Sequence, residues 1–187
     1  MDEAGRGPLV GPVTAAAVVF KATYRGQNLR DSKKLSAKKR LALSKEIEEN
    51  SLCYSIVSVG PRRIEKLNIL GATKLAMRLC AERICKTLGF REGDPNLHFL
   101  VDGNFSFGGK YSQEAIIKGD EKIAEISAAS IMAKVKRDEL MKKLDSLHLG
   151  YGFAKHKGYP TREHLNAIET LGPCGAHRRS FRGVRRL

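Results

Sequence analysis

A single α/β domain, a mixed central β-sheet flanked by helices, is what the sequence predicts, on three observations. Apolar runs of strand length alternate along the chain with longer stretches whose apolar residues recur at helical spacing. One of those runs, Val10 to Phe20, stays apolar on both faces of its alternation, as a strand buried inside a layered fold does. With 187 residues, 42% hydrophobic and 29% charged, the chain can fill one core and is unlike disordered, collagen-like or low-complexity sequences.

Taken in order, Val10 to Phe20 is bounded by Gly11-Pro12 and by Lys21 and reads as a strand covered on both sides. Ser36 to Asn50 follows as a helix, with Ser36 as its cap and Leu41, Leu43 and Ile47 on one side. Leu52 to Val59 is the next strand. Ala72 to Leu88 carries Leu75, Ala76, Leu79 and Ile84 at helical spacings. Leu97 to Val101 is a third strand, and it delivers Asp102-Gly103 at its end. Gly103 to Tyr111 is a glycine- and aromatic-rich loop or hairpin. Ile123 to Leu147 is a long helix, and Thr161 to Leu171 a shorter one. His148 to Pro160 is a connection rather than a domain linker, and no internal repeat is present. The reading is one domain over 1–187, with 148–187 a basic C-terminal part that contacts the substrate.

Lys and Arg number 34 against 20 Asp and Glu, a formal net charge of +14, which favours polyanionic partners. Arg178, Arg179, Arg182, Arg185 and Arg186 crowd the last ten residues without an acid, forming either a solvated end or an arm on a phosphate backbone. The apolar run Val13 to Phe20 is far short of the roughly 20 residues that span a bilayer. Asp2 and Glu3 stand where a secretion signal carries basic residues, so the expectation is a cytoplasmic protein with no membrane partner. Cys53, Cys80, Cys85 and Cys174 form no C-x-x-C pair and no finger spacing with His, and are read as reduced, structural thiols.

In so basic a chain, acids at element boundaries call for a reason. Asp2 and Glu3 adjoin the turn Gly5-Arg6-Gly7-Pro8, Asp102 ends an apolar strand, and Asp120 follows Gly119 ahead of the Ala-rich helix. If the strands lie side by side these carboxylates converge on one sheet edge, where mutual repulsion favours bound cations. Oxygen donors suit Mg²⁺ or Mn²⁺, and a pair of such ions is the general device for in-line displacement at a phosphodiester. The competing reading is that the acids cap helices and turns. In Gly5-Arg6-Gly7, residues lacking Cβ let backbone groups approach a ligand while the Arg forks a phosphate. Those backbone groups suit a 2′-hydroxyl, the group that tells RNA from DNA.

The residues Asp2-Glu3-Ala4-Gly5-Arg6-Gly7-Pro8-Leu9, with Gly11-Pro12-Val13 after them, resemble the opening signature of ribonuclease HII, the type 2 ribonuclease H family. Asp31-Ser32-Lys33-Lys34-Leu35, Ala72 to Met77, Val101-Asp102-Gly103, Lys118-Gly119-Asp120, Ala128 to Val135 with Arg137-Asp138, His156 to Thr161 and His177 to Phe181 are similar to the family's blocks, in its order. The resemblance implies a ribonuclease H-like fold. It implies cleavage of the RNA strand of RNA/DNA hybrids, and incision 5′ of single ribonucleotides in duplex DNA, leaving 3′-hydroxyl and 5′-phosphate ends. It makes Asp2, Glu3, Asp102 and Asp120 the catalytic carboxylates that hold two divalent ions, Mg²⁺ or Mn²⁺. Gly5, Arg6 and Gly7 would contact the ribonucleotide 2′-hydroxyl and flanking phosphates, and Tyr159 would stack on the next deoxyribose.

Lys33, Lys34, Ser130 and Lys134 would line the substrate backbone, with Lys155 and Lys157 beside them. Ser130 and Lys134, four apart on a helix, can address one phosphate. His156, His164 and His177 are read as structural or backbone-contacting, since two ions leave no need for a side-chain nucleophile. The expected partner is nucleic acid, bound by a monomer. Only Met1 precedes the Asp-Glu pair, where family members carry more residues. The reading is therefore a shortened first strand and an α-amino charge next to a metal ligand, where it weakens cation binding. Two rivals stand beside this reading: a duplex-binding module without turnover, and a hybrid nuclease that needs a run of ribonucleotides.

Overall fold

A computed structural model describes residues 1–24, 26, 29 and 35–184. Strand β1 (Asp2–Ala4) pairs antiparallel with β2 (Val13–Phe20), Glu3 opposite Ala15, and β2 pairs antiparallel with β3 (Ser51–Val59), Val13 opposite Val59. Strand β4 (His98–Asp102) runs parallel to β5 (Ser112–Ile116). Two backbone bonds sew these sheets together: the Met1 amino group donates to the Leu100 carbonyl at 2.6 Å, and the Asp102 N–H donates to the Met1 carbonyl at 2.9 Å. The pattern is that of parallel neighbours. The strands thus lie in the order β3-β2-β1-β4-β5, and the ends of β1 and β4 come side by side. Burial lowers the Met1 amino group to about 6, against the positive charge expected there at neutral pH.

Helix α1 (Ala37–Asn50) starts at Ser36, whose side chain accepts from the Lys39 N–H. Helix α2 (Pro61–Leu88) covers one face of the sheet, and α4 (Ala124–Leu147) covers the other. The alternation of β2 explains this. Val13, Ala15 and Ala17 join Ala76, Met77, Cys80 and Ile84 in one cluster, while Ala16 and Val18 join Ile47, Ala129, Met132 and Ala133 in a second. Both faces of β2 are therefore apolar, and its alanines let the helices come close. Leu41, expected on the inner side of α1, is instead 53% exposed, while Ile47 is buried. Helix α3 (Gly119–Lys122) is one turn ahead of α4.

Helix α2 begins eleven residues before the expected Ala72, and its axis breaks at Asn68, where φ is 56°. The Asn68 side chain accepts from the Gly71 N–H at 3.0 Å and so caps the second segment. The segment 148–160 holds a helical turn, α5 (Phe153–His156), before α6 (Arg162–Leu171), which Thr161 caps through the His164 N–H. The C-terminal part then folds back on the loop after β1. Val10 bridges His177, the Gly11 N–H donates to the Ala176 carbonyl at 2.9 Å, and the Arg178 N–H donates to the Leu9 carbonyl at 2.8 Å. Arg178 is fully buried, so the basic end is neither all solvated nor all free to reach a phosphate. Arg185 and Arg186 lie outside the described residues. All four cysteines are free thiols. Among the described residues no helix is long and apolar enough to cross a membrane.

Candidate active site

A cleft of about 400 Å³ opens where β1 and β4 end together. Its floor carries Asp2, Glu3 and Asp102, and the Gly5-Arg6-Gly7 turn and α4, through Ser130, Lys134 and Arg137, line it with them. Tyr159 closes one end, 46% exposed. The position of a Gly7 Cβ lies 3.7 Å from the Tyr159 ring, so the turn and the ring form one continuous edge.

Asp2 is 3% exposed, and its carboxylate accepts the Glu3 N–H at 2.6 Å. Burial first, then the charges of Glu3 and Asp102, push its carboxyl up to about 7, while a hydrogen bond from Ser130 works in the other direction. Asp102 accepts the Gly119 N–H at 2.7 Å. That contact fixes the start of α3 against the end of β4 and so brings the next residue, the buried Asp120, to the same sheet edge. The Asp120 side chain does not line the cleft itself. Glu3 pairs with Arg6 at 3.4 Å, and the Arg6 guanidinium lies over the Phe105 ring at 5.5 Å. Lys134 pairs with Asp138 at 2.6 Å.

Whether these residues suit divalent ions is a matter of donors and charge. Every acidic donor is a carboxylate oxygen, which matches Mg²⁺ or Mn²⁺ and not a soft metal. Burial first, and the neighbouring Glu3 and Asp102 charges after it, raise the Asp2 carboxyl, and a cation beside these acids would offset both. Among the described residues no three His, Cys, Asp or Glu side chains already stand at ion-holding spacing. The donor set fits hard cations, with the side chains not preset into a closed cage.

Other expected residues fall elsewhere. Lys33 and Lys34 lie outside the described residues. Lys155 pairs with Glu163 at 2.7 Å, away from the cleft lining, and Lys157 turns back to donate to the Ala154 carbonyl.

The histidines form a buried network whose partners assign its tautomers. His177 Nδ1 accepts the Cys174 N–H at 3.0 Å, so its Nε2 carries the proton donated to His164 Nε2 at 3.1 Å. His164 Nδ1 then donates to the Tyr159 carbonyl at 2.9 Å. Burial and His164 hold His177 down at about 4. These rings support the backbone that carries Tyr159 and take no place in the cleft.

Two arginines whose burial the sequence did not reveal hold the turn, and one of them, Arg137, also lines the cleft. Arg137 and Arg178 are both fully buried: Arg178 donates to the turn's own Gly5 and Arg6 carbonyls, while Arg137 donates to the Val10 and Pro12 carbonyls that follow it. Burial first, then Arg137 beside it, lower the Arg178 guanidinium to about 9, which leaves it charged at neutral pH. Both lie in blocks that carry the family resemblance, but an Arg in a basic segment gives no sign of burial.

The family model described as Ribonuclease HII matches residues 1–184. The ribonuclease HII of Francisella tularensis subsp. novicida is 48% identical over 187 residues, which is 100% of this chain and 97% of that protein. The crystal structure of ribonuclease H2 from Pyrococcus horikoshii superposes with a TM-score of 0.71 at 25% identity, covering 99% of this chain and 93% of that one. Bst-RNase HIII in complex with Mn²⁺ superposes with a TM-score of 0.75 at 15% identity, covering 98% of this chain and 66% of that one, and indicates a shared fold.

Proposed function

The chain belongs to the ribonuclease HII family of hydrolytic nucleases acting on RNA/DNA hybrids, and from that premise we propose that it also incises duplex DNA on the 5′ side of a lone ribonucleotide. The observation that carries the reading is a single cleft lined by Asp2, Glu3, Asp102, the Gly5-Arg6-Gly7 turn and Tyr159. Acids that hold ions and a backbone that senses a sugar thus share one space.

Asp2, Glu3, Asp102 and Asp120 hold the ions. When bound, two divalent cations, Mg²⁺ or Mn²⁺, supply activation of the attacking water and charge stabilisation at the leaving 3′-oxygen. The protein's part is to set the substrate. Gly5, Arg6 and Gly7 meet the ribonucleotide through backbone groups at its 2′-hydroxyl, and the Arg6 side chain reaches a flanking phosphate. Tyr159 stacks on the following deoxyribose, where an added 2′-hydroxyl crowds the ring. Ser130 and Lys134, one helical turn apart and both in the cleft lining, take a backbone phosphate, joined by Lys33 and Lys34. Contacts of this kind, to sugar and phosphate, read sugar and shape and not sequence.

The test is cleavage of a duplex holding one ribonucleotide, with Mg²⁺, with Mn²⁺ and with a chelator. The reading expects a single cut 5′ of the ribonucleotide, only when divalent ions are present. Cleavage confined to hybrids with several consecutive ribonucleotides contradicts it.

A further inference from the structure

Two buried cations hold the Gly5-Arg6-Gly7 turn, Arg178 from behind it and Arg137 from the cleft lining beside Gly5. Arg137 and Arg178 are at most 1% exposed, and among the described residues neither forms an ion pair with a carboxylate. Their partners are backbone carbonyls. Arg178 donates to the Gly11 carbonyl at 2.9 Å from Nε, to the Arg6 carbonyl at 2.9 Å from Nη1 and to the Gly5 carbonyl at 2.7 Å from Nη2. Arg137 donates to the Pro12 carbonyl at 3.1 Å, the Lys157 carbonyl at 3.0 Å and the Val10 carbonyl at 3.3 Å. Burying an isolated cation is strongly unfavourable, and charge-assisted bonds to carbonyls offset it.

The aim of these bonds has a consequence for the cleft. No peptide bond here is cis, and in a planar trans unit the N–H points opposite to the C=O. The unit that ends in the Gly5 carbonyl carries the Arg6 N–H, and the unit with the Arg6 carbonyl carries the Gly7 N–H. Drawing both carbonyls inward onto Arg178 therefore turns both N–H groups outward, and Arg6 and Gly7 line the cleft. Arg137, itself in the cleft lining, packs against the same turn at Gly5. A Cβ on Gly5 would lie 1.9 Å from Arg137 Nε.

We propose that Arg178, backed by Arg137, is a positioning residue for ribose recognition, which aims the Arg6 and Gly7 amides at the sugar without touching nucleic acid. This rests on the reading of the turn given under Proposed function. It predicts that preference for a ribonucleotide depends on a side chain behind the binding surface.

The test measures binding of the full chain to two duplexes, one with a single ribonucleotide and one all DNA, with Ca²⁺ in place of Mg²⁺. The parent should favour the ribonucleotide duplex by about tenfold, the effect of one or two hydrogen bonds. Arg178→Lys keeps the charge but not the fork, and should bring that ratio close to one while affinity for the DNA duplex changes far less. A retained preference overturns the proposal, and so does an equal loss for both duplexes, which marks a merely structural role. A parent with no preference overturns the reading of the turn itself, and the proposal with it. Amide hydrogen exchange on the unmodified protein needs no variant. The Arg6 and Gly7 amides should exchange quickly when free and slow more with the ribonucleotide duplex than with the DNA duplex. Strong protection in the free protein contradicts the outward aim.

Discussion

Gly5 adopts φ +95°, and any side chain there meets Arg137. Gly5→Ala thus has to strain the backbone and displace a buried guanidinium, and should destabilise the protein by about 2–4 kcal/mol, measured by urea melts. Unchanged stability would show that the turn relaxes freely. Tyr159→Ala should lower incision at a lone ribonucleotide about tenfold, the scale of one lost stacking contact, and affect hybrids with long ribonucleotide runs much less; equal rates on the lone ribonucleotide exclude the stacking role. At this scale the sequence was informative where a residue type has one main use. Acids at strand ends and a glycine pair stood out as candidate site residues, with turn and helix capping as the competing use of the acids. The burial of Arg178 did not show, because a basic terminus reads either as solvated or as an arm on a phosphate, and that burial depends on carbonyls of residues 5, 6 and 11 that only the folded chain brings near.

Among the elements, β2 and α4 were legible because their apolar patterns are long and continuous. β5 was not, since Ser112-Gln113-Glu114-Ala115-Ile116 carries little apolar alternation and is a strand because β4 offers it a parallel partner. The first segment of α2 was hidden by Arg62, Arg63, Glu65 and Lys66, which leave few apolar positions to mark a helical face. Asn68 joins the two segments with a positive φ and a side-chain cap. Asn68→Ala should cost about 1–2 kcal/mol through both losses, whereas Asn68→Gly relieves the backbone and should cost less; the reverse order in thermal melts contradicts this account of the break. The C-terminal elements depend on an uncharged histidine network. Because His177 is held at about 4 against an ordinary 6.5, the unfolded chain binds its proton first. The network's contribution is full above pH 6.5 and is lost as pH falls toward 4, by up to about 3 kcal/mol. Urea melts across that range should show a steeper loss for the parent than for His177→Gln, and identical slopes would rule out the assigned tautomers.

Over the whole molecule, the strand order puts the ends of β1 and β4 side by side, and the C-terminal part ties the intervening turn from behind. A net charge of +14 surrounds a cleft whose floor is acidic. Long-range attraction to a phosphate backbone and local demand for cations thus coexist on one surface. Affinity for duplexes should fall by about a hundredfold or more between about 50 and 200 mM salt, measured by fluorescence anisotropy, while the preference for a ribonucleotide changes little; a preference that vanishes with salt would assign it to charge and not to the turn.

The central claim is that carboxylates distant in sequence act together on a phosphodiester beside a ribose. Single-turnover incision of a duplex with one ribonucleotide, by the parent and by Asp102→Asn in Mg²⁺, tests it most directly. The account predicts a cut 5′ of the ribonucleotide by the parent and a loss of at least about a hundredfold in the variant, of the order of losing one charged group in the transition state. Equal rates for the two proteins would contradict it.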